Sequence, residues 1–199
     1  MGYDKYVRIA FEDMANVYYH EENSRFTTYI IRNLFNWKEE LGIGENIDLV
    51  YWNAGLWDDL VMLDGKHLIS IEDYKKNIER ICLLIKKLFP NAKMSFATST
   101  PVIEELFTDY KRYNSDTEKY NEAAADIVGK MGGNIDDLYS VMKECPIEYH
   151  SDLTHYYTKE GTRVIANKVI AHIEEVLAIK AKKLDYDKLF AEKSEITGM

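Results

Sequence analysis

The sequence predicts an α/β protein with a mostly parallel sheet, and two features of its hydrophobic pattern carry that prediction. Short apolar runs typical of strands alternate with longer stretches in which apolar residues recur every three or four positions. The two kinds of segment follow one another along the chain, as they do in proteins built from β-α-β units. We therefore expect each helix to pack on one side of a parallel sheet.

The clearest strand is predicted at Ile47–Asn53, where a short run of aliphatic and aromatic residues is typical of a buried strand. Further strands are predicted at Asn16–His20 and Ala92–Ala97, and a weaker one lies near Asn134–Leu138. Because helical segments separate these runs, the strands are expected to pair in parallel.

The best helical pattern lies in Ile71–Phe89, whose apolar residues form one stripe: Tyr74, Ile78, Ile81, Cys82, Ile85 and Leu88. Thr158–Leu177 and Thr27–Leu41 repeat this pattern, and Tyr120–Met131 does so before two glycines end it. Residues 1–11 fit a helix or a strand. We favour the helix because a set of apolar residues shares one helical face: Tyr3, Tyr6, Val7, Ala10 and Met14.

The net charge is acidic, which narrows the range of partners. The chain has 25 Lys and Arg against 34 Asp and Glu, a net charge of −9 at pH 7. Binding to nucleic acids or anionic membranes depends on basic residues, so we expect neither as a partner. With 46% hydrophobic residues, the chain is too apolar for a disordered protein.

The length of 199 residues suits a single domain with a sizeable core. We expect one domain over residues 1–180, and a charged tail over residues 181–199 that runs along the surface or frays. Cys82 and Cys145 are expected to be reduced thiols rather than a disulfide or zinc framework. No secretory segment or membrane-spanning run is found, so a cytoplasmic location is expected.

The most specific signal for chemistry is Ser151-Asp152-Leu153-Thr154-His155, which precedes a predicted helix. An Asp three residues before a His can reach the second imidazole nitrogen and fix the tautomer, as in the base half of a hydrolytic triad. A second interpretation is an Asp or Thr that caps the helix beside an unrelated His, and spacing alone favours it. A third treats His150, Asp152 and His155 as metal ligands, although no fourth ligand is evident.

A second candidate segment follows the Ile47–Asn53 strand, at the edge where functional groups gather in parallel sheets. The side-chain amide of Asn53 and an open backbone N–H at Gly55 suit an oxyanion hole. The alternative is a strand-ending turn in which Asn53 binds the loop backbone.

A third segment contains Arg25 and lies in the loop after the Asn16–His20 strand. Considered alone, it is most simply a helix start, with Ser24 or Thr27 as the cap and Arg25 exposed. We expect the three candidate loops to converge at one edge of the sheet, and this convergence makes a site plausible.

Five segments, in this order over residues 1 to 178, resemble the SGNH (GDSL-type) hydrolase superfamily. They are Asn23-Ser24-Arg25-Phe26-Thr27-Thr28, Trp52-Asn53-Ala54-Gly55-Leu56-Trp57-Asp58, Ala97-Thr98-Ser99-Thr100-Pro101, Tyr120-Asn121-Glu122-Ala123 and Asp152-Leu153-Thr154-His155. The second resembles the branch of the superfamily whose third block reads N-x-G-L-x-D. The Asp-x-x-His segment is the more specific match.

The resemblance implies a flavodoxin-like, three-layer α/β/α domain that hydrolyses small-molecule esters, often acyl groups on carbohydrates, with no metal or organic cofactor. In that family a His activates a serine nucleophile, and an Asp orients the His. Carried over by position, His155 is the general base and Asp152 is its orienting partner. Gly55 lies in the turn beside the oxyanion site.

The sequence also departs from the family pattern. The family's nucleophile lies in a Gly-Asp-Ser block at the end of the first strand, and the residues that usually follow this block resemble Met1–Val7. We therefore expect this chain to begin just after its nucleophile, to lack the first strand and to be inactive as an esterase. The second-block Gly falls at Arg25 and the third-block Asn at Trp57, which leaves Asn53 as a substitute donor.

Other serines are poor candidates for the nucleophile, because Ser24, Ser99 and Ser151 lie in predicted loops with no Gly-x-Ser-x-Gly turn. A missing central strand would expose strand edges, so we expect a homo-oligomer, formed by strand exchange or a re-paired sheet. The competing hypothesis is a non-catalytic binding or scaffold remnant of the same fold that self-associates.

Overall fold

The computed structural model describes residues 2–197, with side chains up to Ala191; Met1, Gly198 and Met199 lie outside the described residues. The chain divides into two compact units. The central unit is Tyr19–Cys145, and the terminal unit combines Met1–Tyr18 with Pro146–Met199. Each unit is described separately below.

The central unit contains a three-stranded, fully parallel sheet in the order β1-β2-β3. Its strands are β1 (Leu49–Trp52), β2 (Lys93–Ala97) and β3 (Asn134–Asp136), which confirms three of the predicted strands. In β2, the central strand, every residue after Lys93 is buried. The predicted α/β class with a parallel sheet is therefore confirmed.

Helices α2 (Thr27–Glu40), α3 (Ile71–Leu88), α4 (Asn114–Lys130) and α5 (Leu138–Lys143) complete the central unit, with a 3₁₀ turn at Glu104–Leu106. The predicted apolar stripe of α3 lies in the core, with Tyr74, Ile78, Ile81 and Cys82 all fully buried. The α3 helix packs against both α2 and α4.

Helix α4 begins at Asn114, six residues before the predicted start at Tyr120. Its first turn is polar, so hydrophobic periodicity does not mark it. A tertiary contact positions this turn: the Asn114 side chain accepts from the Val102 N–H (2.9 Å) and donates to the Val102 carbonyl (3.0 Å).

The terminal unit contains α1 (Asp4–Ala10), a 3₁₀ turn at Ile147–Tyr149, α6 (Lys159–Leu177) and α7 (Tyr186–Thr197). The expected helix near the N-terminus is confirmed, and it packs against α6. Residues 181–199, which were expected to form a charged tail, include α7. Tyr186 is buried, and the Tyr6 ring lies 5.5 Å from its ring and 5.4 Å from that of Phe190.

The predicted strand at Asn16–His20 is wrong, because residues 15–20 are irregular. An extended segment becomes a strand only when the backbone of a neighbour pairs with it. In the part of the chain that the structure describes, the sheet ends at β1. An alternating apolar pattern cannot show whether such a neighbour is present.

No helix among the described residues is long and apolar enough to cross a membrane. Both cysteines are free thiols. Burial raises the pKa of the Cys82 thiol to about 11, so this side chain acts as a small apolar core residue.

We predict that Tyr186 anchors the C-terminal segment. Besides its ring contacts, its hydroxyl donates to Asn167 Oδ1 at 2.9 Å. Tyr186→Ala should lower the free energy of unfolding by about 3 kcal/mol, because it removes a buried aromatic ring. Tyr186→Phe should cost only about 1 kcal/mol, because it removes one hydrogen bond. Urea unfolding measures both changes. If the free energy of unfolding of Tyr186→Ala equals that of the unmodified chain, Tyr186 does not anchor the C-terminal segment.

Candidate active site

Asp152 and His155 lie in the loop that precedes α6, and their side chains are in direct contact. The His155 Nδ1 atom lies 2.8 Å from Asp152 Oδ2 and 3.0 Å from Oδ1. Oδ1 also accepts from the backbone N–H groups of Thr154 (2.8 Å) and His155 (2.9 Å). The three-residue spacing thus forms a tight turn in which one carboxylate binds both the backbone and the imidazole.

The cap of α6 is Thr158 rather than Asp152. The Thr158 hydroxyl accepts from the Gly161 N–H (3.1 Å) and donates to the Tyr149 carbonyl (2.7 Å). Because Thr158 satisfies the start of the helix, the Asp152 carboxylate is available to His155. This arrangement favours the paired interpretation of the Asp-x-x-His segment over capping beside an unrelated His.

Hydrogen bonding keeps the Asp152 carboxylate ionised. Burial raises its pKa, but hydrogen bonds from the Thr154 N–H, the His155 ring and the His155 N–H outweigh burial and lower the pKa to about 2. An ionised carboxylate at Nδ1 favours the tautomer with its proton on that nitrogen, so Nε2 is the basic nitrogen. The Tyr157 ring stacks on the imidazole at 4.8 Å and limits its rotation.

Gly55 lies in the turn that follows β1, in a backbone conformation with φ of +144°. A Cβ atom at this position would lie 3.0 Å from Ser99 Oγ and 3.2 Å from the Tyr74 hydroxyl. The hydroxyl of Tyr74 donates to the Ala54 carbonyl at 2.9 Å, so it is not free to move away. Backbone conformation and close packing both require glycine here.

Asn53 joins the ends of β1 and β2. Its amide nitrogen donates to the Ala97 carbonyl at 2.7 Å and lies 3.4 Å from Ser99 Oγ. Asn121 holds the same loop from α4, accepting from the Ser99 N–H (2.8 Å) and donating to the Ser99 carbonyl (2.9 Å). Asn53 therefore binds the backbone, as its alternative interpretation predicted, and its role as an oxyanion donor stays a prediction.

Arg25, the residue at the second-block Gly position, has a φ of +52°. This left-handed conformation favours glycine, which explains why a glycine suits the position. The Arg25 N–H donates to Asn23 Oδ1 at 2.8 Å, and the exposed guanidinium lies 4.7 Å from the centre of the Tyr29 ring. An aromatic ring thus orients the arginine at the surface.

Sequence reasoning missed two fully buried carboxylates, Asp58 and Asp59, in the turn after Gly55. Asp58 accepts from the Thr27 N–H (3.0 Å) and the Thr27 hydroxyl (2.5 Å). It thereby caps α2, because Phe26 at the N-cap position makes no side-chain cap bond. Asp side chains are rarely fully buried, so the sequence reading left this pair at the surface.

Asp59 binds the start of α4. It accepts from the Thr117 hydroxyl at 2.7 Å, and the Arg112 guanidinium lies 3.9 Å away. Arg112 also donates to the Leu56 carbonyl at 2.6 Å. Burial raises the pKa of Asp58 to about 6, although the hydrogen bonds from Thr27 lower it in part. Burial likewise raises the pKa of Asp59 to about 7, although the Thr117 hydrogen bond and the charge of Arg112 lower it in part.

Asp152 and His155 belong to the terminal unit, whereas Arg25, Asn53 and Gly55 belong to the central unit. That all five meet in one site stays a prediction. Among the described residues, no group of three or more His, Cys, Asp or Glu side chains could hold a metal ion. The arrangement of His150, Asp152 and His155 therefore does not support the metal hypothesis.

The sequence matches no family model and no curated protein. Solved structures do match. A lipase/acylhydrolase from Enterococcus faecalis is 17% identical, with a TM-score of 0.59, over 81% of this chain and 75% of that one. An alpha/beta hydrolase enzyme from the Lake Arreo metagenome is 16% identical, with a TM-score of 0.66, over 85% and 80%.

A GDSL-like lipase from Bacteroides thetaiotaomicron is also similar. It is 17% identical, with a TM-score of 0.59, and the match covers 77% of this chain and 73% of that one. Similarity at these identities shows the fold alone: this chain has the fold of these lipase, acylhydrolase and hydrolase structures.

We predict that Asp59 makes the central unit more stable in mild acid. Because folding raises the pKa of Asp58 and Asp59, the protonated carboxyls stabilise the fold fully below about pH 4, and this stabilisation is lost as the pH rises through about 6 and 7. The free energy of unfolding should therefore increase by roughly 4 kcal/mol from pH 8 to pH 5, most of it from Asp59. The lowered pKa of half-buried His20 acts oppositely as the pH falls below about 6.5, and that of Asp152 does so only as the pH falls from about 4 towards 2.

Urea unfolding of Asp59→Asn at each pH provides the test. In this variant the free energy of unfolding should change much less between pH 8 and pH 6 than in the unmodified chain. In Asp109→Asn, a substitution at an exposed position, the change should be the same as in the unmodified chain. The slope with pH is compared, rather than the stability at one pH, because the amide also alters contacts with Arg112. Identical slopes for both variants would contradict the assignment to Asp59.

Proposed function

We propose that this chain provides the general base and the oxyanion-side turn of a serine ester hydrolase of the SGNH (GDSL) type, acting on a small-molecule ester. The observation that carries the proposal is the 2.8 Å contact between Asp152 Oδ2 and His155 Nδ1. A carboxylate held at Nδ1 leaves Nε2 as the nitrogen that accepts a proton. The fold shared with a lipase/acylhydrolase supports the same class of reaction.

In this mechanism His155 Nε2 takes the proton of a serine hydroxyl as the hydroxyl attacks the ester carbonyl. The protonated imidazole then gives that proton to the departing alcohol, which leaves an acyl-serine that water hydrolyses by the same route. Asp152 stays ionised throughout and stabilises the imidazolium. Backbone N–H groups in the Gly55 turn would stabilise the negative oxygen of the tetrahedral intermediate.

None of the candidate serines Ser24, Ser99 and Ser151 is placed as a nucleophile. We therefore propose that the nucleophile comes from a Gly-Asp-Ser block, a motif that the 199 residues do not contain. The Ser151 hydroxyl donates to the His155 carbonyl (3.1 Å), and Ser99 Oγ lies against Gly55 and the Asn53 amide. Ser24 Oγ lies 3.2 Å from Nε2 of His20, but the other ring nitrogen of His20 is buried without a hydrogen-bond partner. No carboxylate therefore orients that imidazole, and the chain alone is expected to be inactive.

We predict that adding a Gly-Asp-Ser lead gives the chain esterase activity. Hydrolysis of p-nitrophenyl acetate by the extended chain should exceed that of the 199-residue chain by at least about 10³-fold, since a triad without its nucleophile retains little activity. His155→Ala in the extended chain should abolish this gain, and Asp152→Asn should reduce it strongly because the amide favours the wrong tautomer.

Asp187→Asn is the matched control, because Asp187 is an exposed carboxylate of the same unit that pairs with Lys159. Its rate should equal that of the extended chain. Equal rates for the extended and original chains would contradict the enzyme and favour a second candidate function, a non-catalytic scaffold. The Asn53 amide donates to the Ala97 carbonyl instead of pointing to a substrate, and this supports the second candidate.

We further propose that the protein self-associates through the outer edge of β1. Among the described strands, β1 pairs only with β2, and all four of its side chains are half-buried. A strand at the end of a sheet can be extended by a strand of a second copy. No cofactor, nucleic acid or membrane partner is part of this proposal.

Light scattering should give a mass above that of the 23.2 kDa monomer. Leu49→Lys should shift the protein towards the monomer, because a charge at a strand edge opposes added pairing. Leu83→Lys is the control, since Leu83 is an exposed apolar residue on α3. A monomeric mass for the unmodified chain, or equal masses for both variants, would contradict the edge interface.

A further inference from the structure

The N-terminal segment of the terminal unit approaches Tyr157 so closely that only glycine fits at position 2. A Cβ atom at Gly2 would lie 2.4 Å from Cδ1 and 2.8 Å from Cε1 of the Tyr157 ring. Because no side chain can come this close to a ring carbon, the bare backbone of Gly2 lies against the ring. No step of the proposed mechanism involves this contact.

The same Tyr157 ring stacks on the imidazole of His155. The two ring centres lie 4.8 Å apart, and the ring planes are inclined by only 15°. This geometry is typical of favourable contacts between flat rings. Gly2, Tyr157 and His155 therefore form one row of contacts inside the terminal unit, which we call the N-terminal clamp.

The core of the terminal unit holds the Gly2 end of the clamp in place. Gly2 precedes α1, and the adjacent Tyr3 packs against a buried cluster formed by Tyr6, Ala166 and Tyr186. The Tyr6 N–H also donates to the Tyr3 carbonyl at 3.0 Å. A side chain at position 2 would therefore displace the neighbouring aromatic ring more easily than the backbone of the segment.

Ser151 holds the backbone at the other end of the clamp. Its N–H and its hydroxyl both donate to the His155 carbonyl, at 2.7 and 3.1 Å. Its Oγ also accepts from the Tyr157 N–H at 3.1 Å. One serine thus fixes the backbone of both residues, and the orientation of their side chains is left to the contacts that the rings make.

Exposure makes the imidazole of His155 dependent on those contacts. The side chains of His155 and Asp152 are 43% and 49% exposed, and exposed side chains change rotamer rapidly unless their neighbours hold them. Tyr157 is itself 45% exposed. Because nearly half of Tyr157 faces water, packing in a core does not explain the position of its ring.

We propose that Gly2 and Tyr157 are positioning residues for His155, so that the N-terminal segment sets the orientation of the imidazole. The Gly2 backbone keeps the Tyr157 ring on the imidazole, and the ring keeps Nδ1 against Asp152. Neither Gly2 nor Tyr157 exchanges a proton. The inference rests on the proposed function in that it takes His155 as the general base.

The first measurement is NMR of the 199-residue chain, which needs no nucleophile. The ring-proton signals of His155, identified by their loss in His155→Ala, report the stacked ring. Tyr157→Leu and Gly2→Ala should both move these signals towards those of an unstacked histidine, whereas Tyr157→Phe should keep them because a ring remains. Gly44→Ala and Tyr18→Ala are the matched controls: a Cβ at Gly44 has no neighbour within 4 Å, and Tyr18 is a 50% exposed tyrosine of the same unit.

The second measurement is esterase kinetics of the chain extended with the Gly-Asp-Ser lead. Tyr157→Leu and Gly2→Ala should each lower kcat about tenfold with KM unchanged, because a slightly misplaced catalytic group costs rate rather than affinity. Tyr157→Phe should restore kcat. In the double variant, Gly2→Ala should cost little beyond Tyr157→Leu, because no ring is left for the new side chain to displace.

Moved His155 signals in Tyr157→Leu and Gly2→Ala, with losses of kcat that are not additive, support the N-terminal clamp. Unmoved signals in Gly2→Ala overturn it, and so does a Gly2→Ala loss of kcat that is equally large in the Tyr157→Leu background. Moved signals in a chain whose extended form is inactive support the clamp contacts and contradict only the proposed function. Esterase activity with unmoved signals contradicts only the clamp.

Discussion

Two adjacent buried carboxylates, Asp58 and Asp59, hold the turn after β1 between helices α2 and α4. Asp58 caps α2 through Thr27, and Asp59 binds Thr117 near the start of α4. Burying two carboxylates is costly, and only the hydrogen bonds and the nearby Arg112 reduce that cost. The network therefore joins three elements that are distant in sequence, and the position of every group on this turn depends on it.

The turn shows how local packing prepares a backbone for chemistry. A Cβ atom at Gly55 would lie 3.0 Å from Ser99 Oγ and 3.2 Å from the Tyr74 hydroxyl, so a side chain there would have to displace these groups. Asn53 then ties the same turn to the end of β2. An oxyanion hole requires a rigid backbone, because its N–H donors must already point to the position of the negative oxygen.

Hydrophobic periodicity predicted the elements whose apolar face lies in a core, such as α3, and missed features that depend on polar contacts. Helix α4 begins earlier than predicted because Asn114 binds the backbone of Val102. The strand predicted at Asn16–His20 is irregular because a strand needs a paired neighbour. In α7, the many charged residues gave no indication that Tyr186 packs against Tyr6.

The sequence by itself determined the α/β class and three parallel strands, since these depend on periodicity. The spacing of Asp152 and His155 allowed a contact but favoured a helix cap, and the structure shows the contact. Only the tertiary structure decided that Asp58 and Asp59 are buried and that Asn53 donates to Ala97. The physical reason is distance along the chain. A short-range pattern is set by backbone geometry, whereas a long-range contact depends on partners that no local pattern identifies.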